Sequence, residues 1–153
     1  MPVVESARDL GVGLLITKSV SPSVHINDVV SRANQRAAAI ILRGFVSRDA
    51  RLLMRAFITY VRPIVQYNSS IWSSSSVGDI ESVERVQRRF TKRLPGLKNM
   101  SYDQRLKLLD VPSLELRRLR ADLYWCYKIL FGLVAVTSDV FFTKNFCTST
   151  RGH

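Results

Sequence analysis

The chain has 153 residues, enough for one domain with a core of its own. It is 46% hydrophobic and 23% charged, a globular rather than a disordered composition. Lys and Arg number 23 against 12 Asp and Glu, a net charge of +11, and the pI near 10.4 points to a polyanionic partner. The excess is spread: nine basic and five acidic residues lie in 1–80, twelve and six in 81–128, two and one in 129–153. Two cysteines, Cys126 and Cys147, exclude a disulfide framework, and Cys126 in YWCYKIL reads as a buried free thiol. His25 and His153 stand far apart, and no zinc-ligand spacing exists. MPVVESARDL has neither a basic nor an apolar signal-peptide region, and no apolar run approaches the ~18 residues a membrane span needs. The chain therefore reads as intracellular, in nucleus or cytoplasm.

In chain order, DLGVGLLIT reads as one short strand, Leu14 to Thr17, with room for a companion before Gly11. SVSPS marks a loop. The first helix is expected from about Val24 to Arg43. Ile26, Val29, Val30, Ala33, Ala37, Ile40 and Ile41 form its apolar stripe, with Arg32, Arg36 and Arg43 along one edge. Ala37, Ala38 and Ala39 permit a close helix contact. Ser47 or Asp49 can cap a second helix. Leu52, Leu53, Ala56, Phe57, Tyr60 and Ile64 are its expected inner face, and Arg51, Arg55 and Arg62 share another face. Pro63 should kink or end that helix, VQYNSSIW should form a further short helical piece, and Tyr67 and Trp72 read as core anchors.

The third helix, about residues 79–94, carries opposite chemistries on its two sides. At about 100° per residue, Ile80, Val83, Val86, Phe90 and Leu94 share one side, while Arg85, Arg88, Arg89 and Lys92 share the other with nothing local to neutralise them. Asp79 or the serine run can cap its start, where Glu81 and Glu84 suit the helix dipole, and Pro95-Gly96 stops it. Ser101 and Gln104 form a capping box for a short helix containing Leu106, Leu108 and Leu109. Val111-Pro112 breaks that helix, and Ser113 caps the last one, about residues 113–132. Leu123 to Phe131 is apolar nearly all round, so burial is expected there. Tyr124, Trp125 and Tyr127 read as core side chains rather than base-stacking platforms, and the tail from Thr137 as a loop in which Phe141, Phe142 and Phe146 can pack. The expected fold is mainly α, a bundle of about five helices preceded by a short strand or hairpin. Its parts would be a strand region over 1–20, a helical domain over 21–136 and a loop-like tail over 137–153.

Several phrases occur in a telling order: DLGV; HI then RANQRA; LLMRAFITYVRPIVQY; IW; IESVERVQRRFTKRLPGL; YDQRLKLL; PSLELRRLRADL; YKILFGLV; and TRGH. Together, from about Asp9 to His153, they resemble the segment after the catalytic palm in LINE-type (non-LTR, jockey-like) retrotransposon reverse transcriptases. The resemblance implies that DLGV is the last part of the palm and that the helices form the thumb and its extension. Family members continue past TRGH, so on this reading the chain is cut at both ends. Thumb helices lie along the primer–template duplex, whose phosphates lysine and arginine can neutralise without contacting a base. The site residues so implied are Arg85, Arg88, Arg89, Lys92, Arg93, Arg117, Arg118 and Arg120. The implied partners are RNA or RNA–DNA duplex and the absent palm and fingers of the polymerase.

The chain departs from the family at the chemistry. The family's Mg²⁺ is held by adjacent aspartates in a YADD-type motif, and no two adjacent acids occur here. No cofactor and no catalytic residue is therefore expected of this chain alone. The family's LEYC is here Val65-Gln66-Tyr67-Asn68. For the basic groups a plain alternative stands beside phosphate binding: a solvated helix face, with Glu115 and Asp122 placed to pair with Arg117, Arg118 and Arg120. A second reading of the whole chain is a helical protein-interaction module, or a non-functional fragment of a degraded element. An exposed apolar patch would favour a piece of something larger, and converging basic residues would favour nucleic acid.

Overall fold

The structure, a computed structural model, describes residues 6–9, 12–16, 20–21, 23–41, 47–67, 69, 76–140 and 142. Thr17, Arg43, Trp72, Phe141, Phe146 and Cys147, named above, lie outside them. The described residues are mainly helical, as the sequence periodicities require. At the N-terminus β1 (Ser6–Asp9) pairs antiparallel with β2 (Val12–Ile16), with Asp9 opposite Val12, and β3 (Val20–Ser21) pairs with the other edge of β2. Six α-helices follow among the described residues: α1 (Ser23–Ala39), α2 (Ala50–Tyr60), α3 (Arg62–Gln66), α4 (Val77–Lys92), α5 (Tyr102–Leu109) and α6 (Leu114–Leu130). The chain divides into two compact units, Met1–Arg118 and Leu119–His153.

Local signals set the helix boundaries. The Asp49 carboxylate accepts from the Arg51 N–H (2.8 Å) and caps α2, while the Ser47 hydroxyl accepts from the Asp49 N–H. Pro63 sits in the first turn of α3, where it costs no helical bond, so α2 ends at Tyr60. Both halves of the Ser101–Gln104 capping box form, and the Ser113 hydroxyl accepts from the Leu116 N–H. The stop at Pro95-Gly96 is a type II turn. Gly96 has φ +78°, a region side chains avoid, and the Leu97 N–H donates to the Leu94 carbonyl (3.2 Å). Leu94 and Leu97 are both buried, so the turn is anchored at each end. Val111-Pro112 does not act alone: Asp110 takes the left-handed conformation (φ 53°) and lets the Val111 N–H reach the Leu106 carbonyl. Gly132 ends α6 in the same way. Asp79 is not a cap. The helix begins two residues earlier, with Ser76 as its N-cap residue, and Asp79 accepts from the Ser23 hydroxyl (3.0 Å).

That last bond joins the start of α1 to the start of α4. Ile26 packs near Val83, and Ala37 and Ile41 lie beside Phe90 and Arg93, so the two helices run side by side in the same direction. The core of the first unit takes Val29, Ala33, Ala37 and Ile40 from α1 and its exit, Leu53, Met54, Ala56 and Phe57 from α2, and Val61 and Val65 from α3 and its entry. It takes Val86, Phe90 and Leu94 from α4 and its exit, with Leu97, Val111 and Leu114. At its centre the fully buried rings of Phe57 and Phe90 meet at 4.6 Å between centroids.

One flank of α4 is held by polar contacts. Glu84 is 5% exposed and accepts hydrogen bonds from the Tyr102 hydroxyl on one oxygen and from the Glu115 N–H (2.9 Å) on the other. It thereby ties the first turns of α5 and α6 to α4. Gln87 donates to the Tyr102 hydroxyl and to the Pro112 carbonyl. Arg105 is equally buried, and it donates to Thr91 Oγ1 (3.1 Å), the Met100 carbonyl (2.6 Å) and the Arg88 carbonyl (3.4 Å). Burial, and next the hydrogen bond to Glu84, push the Tyr102 phenol well above its ordinary value.

Several burial expectations fail. Tyr67 is 61% exposed, and Tyr60 and Leu52 also face out. The helix breaks at Val61, yet Ile64 on α3 still packs partly buried against the core, and Met54, not expected on the inner face, is buried too. Cys126 is half-buried. The largest correction is in the second unit: Leu123 (68%), Tyr124 (59%), Trp125 (46%), Tyr127 and Phe131 (65%) are exposed. A helix apolar all round is buried only when other elements surround it on every side. Tyr124 and Trp125 lie under the Lys128 ammonium instead, and Tyr127 stacks on Phe131.

Phe90→Ala should destabilise the protein by about 3–5 kcal/mol in urea unfolding. Leu123→Ala should stay within about 0.5 kcal/mol, because the side chain is already in water. Tyr102 must keep its proton to serve Glu84, so its raised folded pKa contributes stability below the phenol's ordinary value near ~10, and that stability is lost as pH rises above it. Unfolding free energy measured from pH 8 to 11 should fall more for the wild type than for Tyr102→Phe.

Candidate nucleic-acid interface

The basic residues of α4 divide by what lies on each flank. At about 100° per residue, Arg85, Arg89 and Lys92 fall within roughly 60° of each other, with Arg88 and Arg93 on either edge. Arg85, Arg89, Lys92 and Arg93 are exposed. Arg88 is not left without a local acid. Its guanidinium pairs with Glu81 two turns earlier (2.5 Å) and lies 5.1 Å from the centre of the Tyr102 ring. Position along the helix suits Glu81 and Glu84 to its dipole, but in the fold Glu81 reaches Arg88 and Glu84 turns inward. Both members of the Arg88–Glu81 pair remain about 40% exposed (42% and 39%), so the pair contributes no more than about 1 kcal/mol.

On the α1 side, α4 borders a groove of about 400 Å³. Ala37, Ala38, Val86 and Phe90 give it an apolar base, and Asn34, Gln35, Arg89 and Arg93 supply its polar groups. The small alanines keep the helices close, as the triplet in the sequence suggests. Asn34 donates its amide to the Val30 carbonyl (2.9 Å). No acidic residue is found in the described lining. The cleft on the opposite flank, about 590 Å³, has Arg88 and Lys107 but also Glu84, Asp103 and Glu115. The lining is therefore positive on the α1 side, whereas on the α5 side three acids outweigh two bases.

The arginines of α6 differ in their settings. Arg117 lies close enough to Arg62 of α3 for its charge to act there. Burial first, and Arg117 second, lower the Arg62 guanidinium from its ordinary value. Among the described residues, Arg117 and Arg120 form no ion pair with Glu115 or Asp122, and Glu115 instead gives its N–H to Glu84. Arg118 is half-buried, and Arg120 is exposed in the second unit. On α1, Arg32 pairs with Asp28 (3.1 Å), while Arg36 is exposed. Three contributors are not evident from residue order: Asn34 and Gln35 in the groove, and Arg62 as a partner of Arg117. Only the RANQRA phrase hints at the first two.

Among the described residues, no three His, Cys, Asp or Glu side chains gather to hold a metal ion. No helix among them is long and apolar enough to cross a membrane. No protein-family model, curated protein or solved structure matches the chain.

Proposed function

We propose that this chain is a piece of a LINE-type reverse transcriptase, from the end of the palm through the thumb. On this reading it is an intracellular protein that holds RNA or RNA–DNA duplex by backbone phosphates and is catalytically silent alone. The observation that carries the reading is the α1–α4 groove, free of acids in its described lining and edged by Arg89 and Arg93, with Arg85 and Lys92 exposed beside it. A phosphate backbone following this surface meets cations and amide groups without a base being read. The ordered phrases from DLGV to TRGH supply the family. No acid–base or nucleophilic constellation competes with a binding role among the residues singled out above.

A helical protein-interaction module is the second reading. It is favoured by the exposed apolar side chains between Leu119 and Val136.

Fluorescence anisotropy with an RNA–DNA hybrid across a salt series separates the two. A phosphate grip gives a linear fall of log affinity with log salt, the same on a scrambled sequence. Arg85→Gln, Arg89→Gln and Lys92→Gln together should weaken binding to all sequences alike and flatten the slope by about 0.9 for each phosphate no longer neutralised. Arg88→Gln should have a smaller effect than Arg89→Gln, because Glu81 already occupies Arg88. An unchanged slope in the triple variant, or a loss confined to one sequence, would refute the grip. A folded chain that does not bind at low salt would leave the interaction module.

A further inference from the structure

Helix α6 is continuous over Leu114–Leu130, so the helix itself fixes the angular order of its side chains. Leu116, Leu119, Leu123, Cys126 and Leu130 follow one another at intervals of three, four, three and four residues. That is the spacing of the a and d positions of a heptad, and it gathers all five within about 80° of one another. The four leucines are 41–68% exposed, and Cys126 is half-buried. The aromatic side chains of the same helix have contacts of their own. Tyr124 and Trp125 lie under the Lys128 ammonium, and Tyr127 stacks on Phe131. The leucines are left as a regular apolar row in water, which a soluble chain ordinarily covers.

The edges of the row carry a second, independent observation. Glu115 and Asp122 lie along one edge, a heptad apart, and Arg120 lies along the other. Glu115 and Arg120 are both exposed, and they stand about 140° apart around the helix, too far to pair with each other. Beside a second copy of α6 in the same direction and register, the acidic edge of each helix meets the edge of the other that carries Arg120. Glu115 of each copy then faces Arg120 of the other, the relation by which g and e positions select partner and direction. In the reverse direction acidic edge meets acidic edge. The row is thus complementary to itself, and in one orientation.

We propose that α6 is a self-association seam, through which two copies of this chain pair as a short parallel coiled coil. The proposal rests on neither the family resemblance nor the α4 grip. It gives the exposed leucines of α6 one definite occupant, a second copy related by a two-fold axis. Two heptads make a small interface, so the pair forms at high protein concentration and dissociates on dilution.

The test is sedimentation velocity of the whole chain across a concentration series, without RNA. The chain should pass from monomer to dimer. Leu123→Glu should raise the dimer dissociation constant at least about tenfold, because it sets a charge on each side of the seam. Tyr124→Glu is similarly exposed but off the row, and should change that constant less than about threefold. Circular dichroism should show the same helix content in both variants. At low salt, Glu115→Arg or Arg120→Glu alone should weaken the dimer about threefold to tenfold, and the two together should restore it. A chain that stays monomeric at every concentration would overturn the proposal. So would a dimer that Leu123→Glu and Tyr124→Glu weaken alike, since that is a sticky patch and not a seam. A doubly swapped variant that stays weak would refute the parallel register. Because no nucleic acid is present, each of these outcomes is separate from the fate of the phosphate grip.

Discussion

Glu84 is a carboxylate taken out of water, and such a group is tolerated only where donors replace its hydration. It obtains two from separate elements: the Tyr102 hydroxyl on α5 and the Glu115 N–H at the start of α6. Neither donor can leave without exposing a buried charge, so the first turns of α5 and α6 are fixed against α4 by necessity rather than by general apolar contact. Arg105 solves the opposite problem one turn along. Its guanidinium spends its N–H groups on Thr91 Oγ1 and on the carbonyls of Met100 and Arg88, with no acid involved. The two buried charges are each satisfied by hydrogen bonds and not by one another. Each polar contact therefore carries direction, and direction sets how α5 leans on α4.

This arrangement explains why α4 is electrostatically lopsided. The flank that receives α5 and α6 also receives their acids, Asp103 and Glu115, next to Glu84. The other flank faces α1, whose nearby side chains are alanines and amides. The positive charge of α4 is thus neutralised on one side, where Glu81 holds Arg88, and is left available on the other. A phosphate backbone would follow the second side. The Phe57–Phe90 contact holds the buried face of α4 against α2.

Much of the helical framework was legible in the sequence because its signals are local. The Asp49 cap, the Ser101–Gln104 box, the Ser113 cap and the stops at Pro63 and Pro95-Gly96 each act over three or four residues. Their chemistry needs no distant partner. The stripe Val86–Phe90–Leu94 was legible for the same reason, since periodicity alone puts those residues on one side. The same rule misled at Tyr60 and Tyr67, where a break at Val61 ends the periodic segment. It misled again over Leu123 to Phe131, where apolar character is a property of the helix but burial is a property of its neighbours. Glu84, Gln87 and Arg105 escaped because polar residues are placed on the surface unless the groups that satisfy them are known, and all of those groups but the Met100 carbonyl lie 14–31 residues away.

By itself the sequence determined that this chain is basic and mainly helical, where most helices begin and end, and that one face of α4 is built for burial and the other for charge. Those properties follow from composition and from interactions within a turn or two of helix. Only the tertiary structure decided which of the charges are free. Glu81 falls within reach of Arg88, α5 carries its acids to one flank of α4, α1 lines the other with amides, and the break at Val61 brings Arg62 within range of Arg117. Each outcome depends on the distance between groups on different turns or elements. Coulomb energy and hydrogen bonding depend on that distance, and no reading of residue order supplies it.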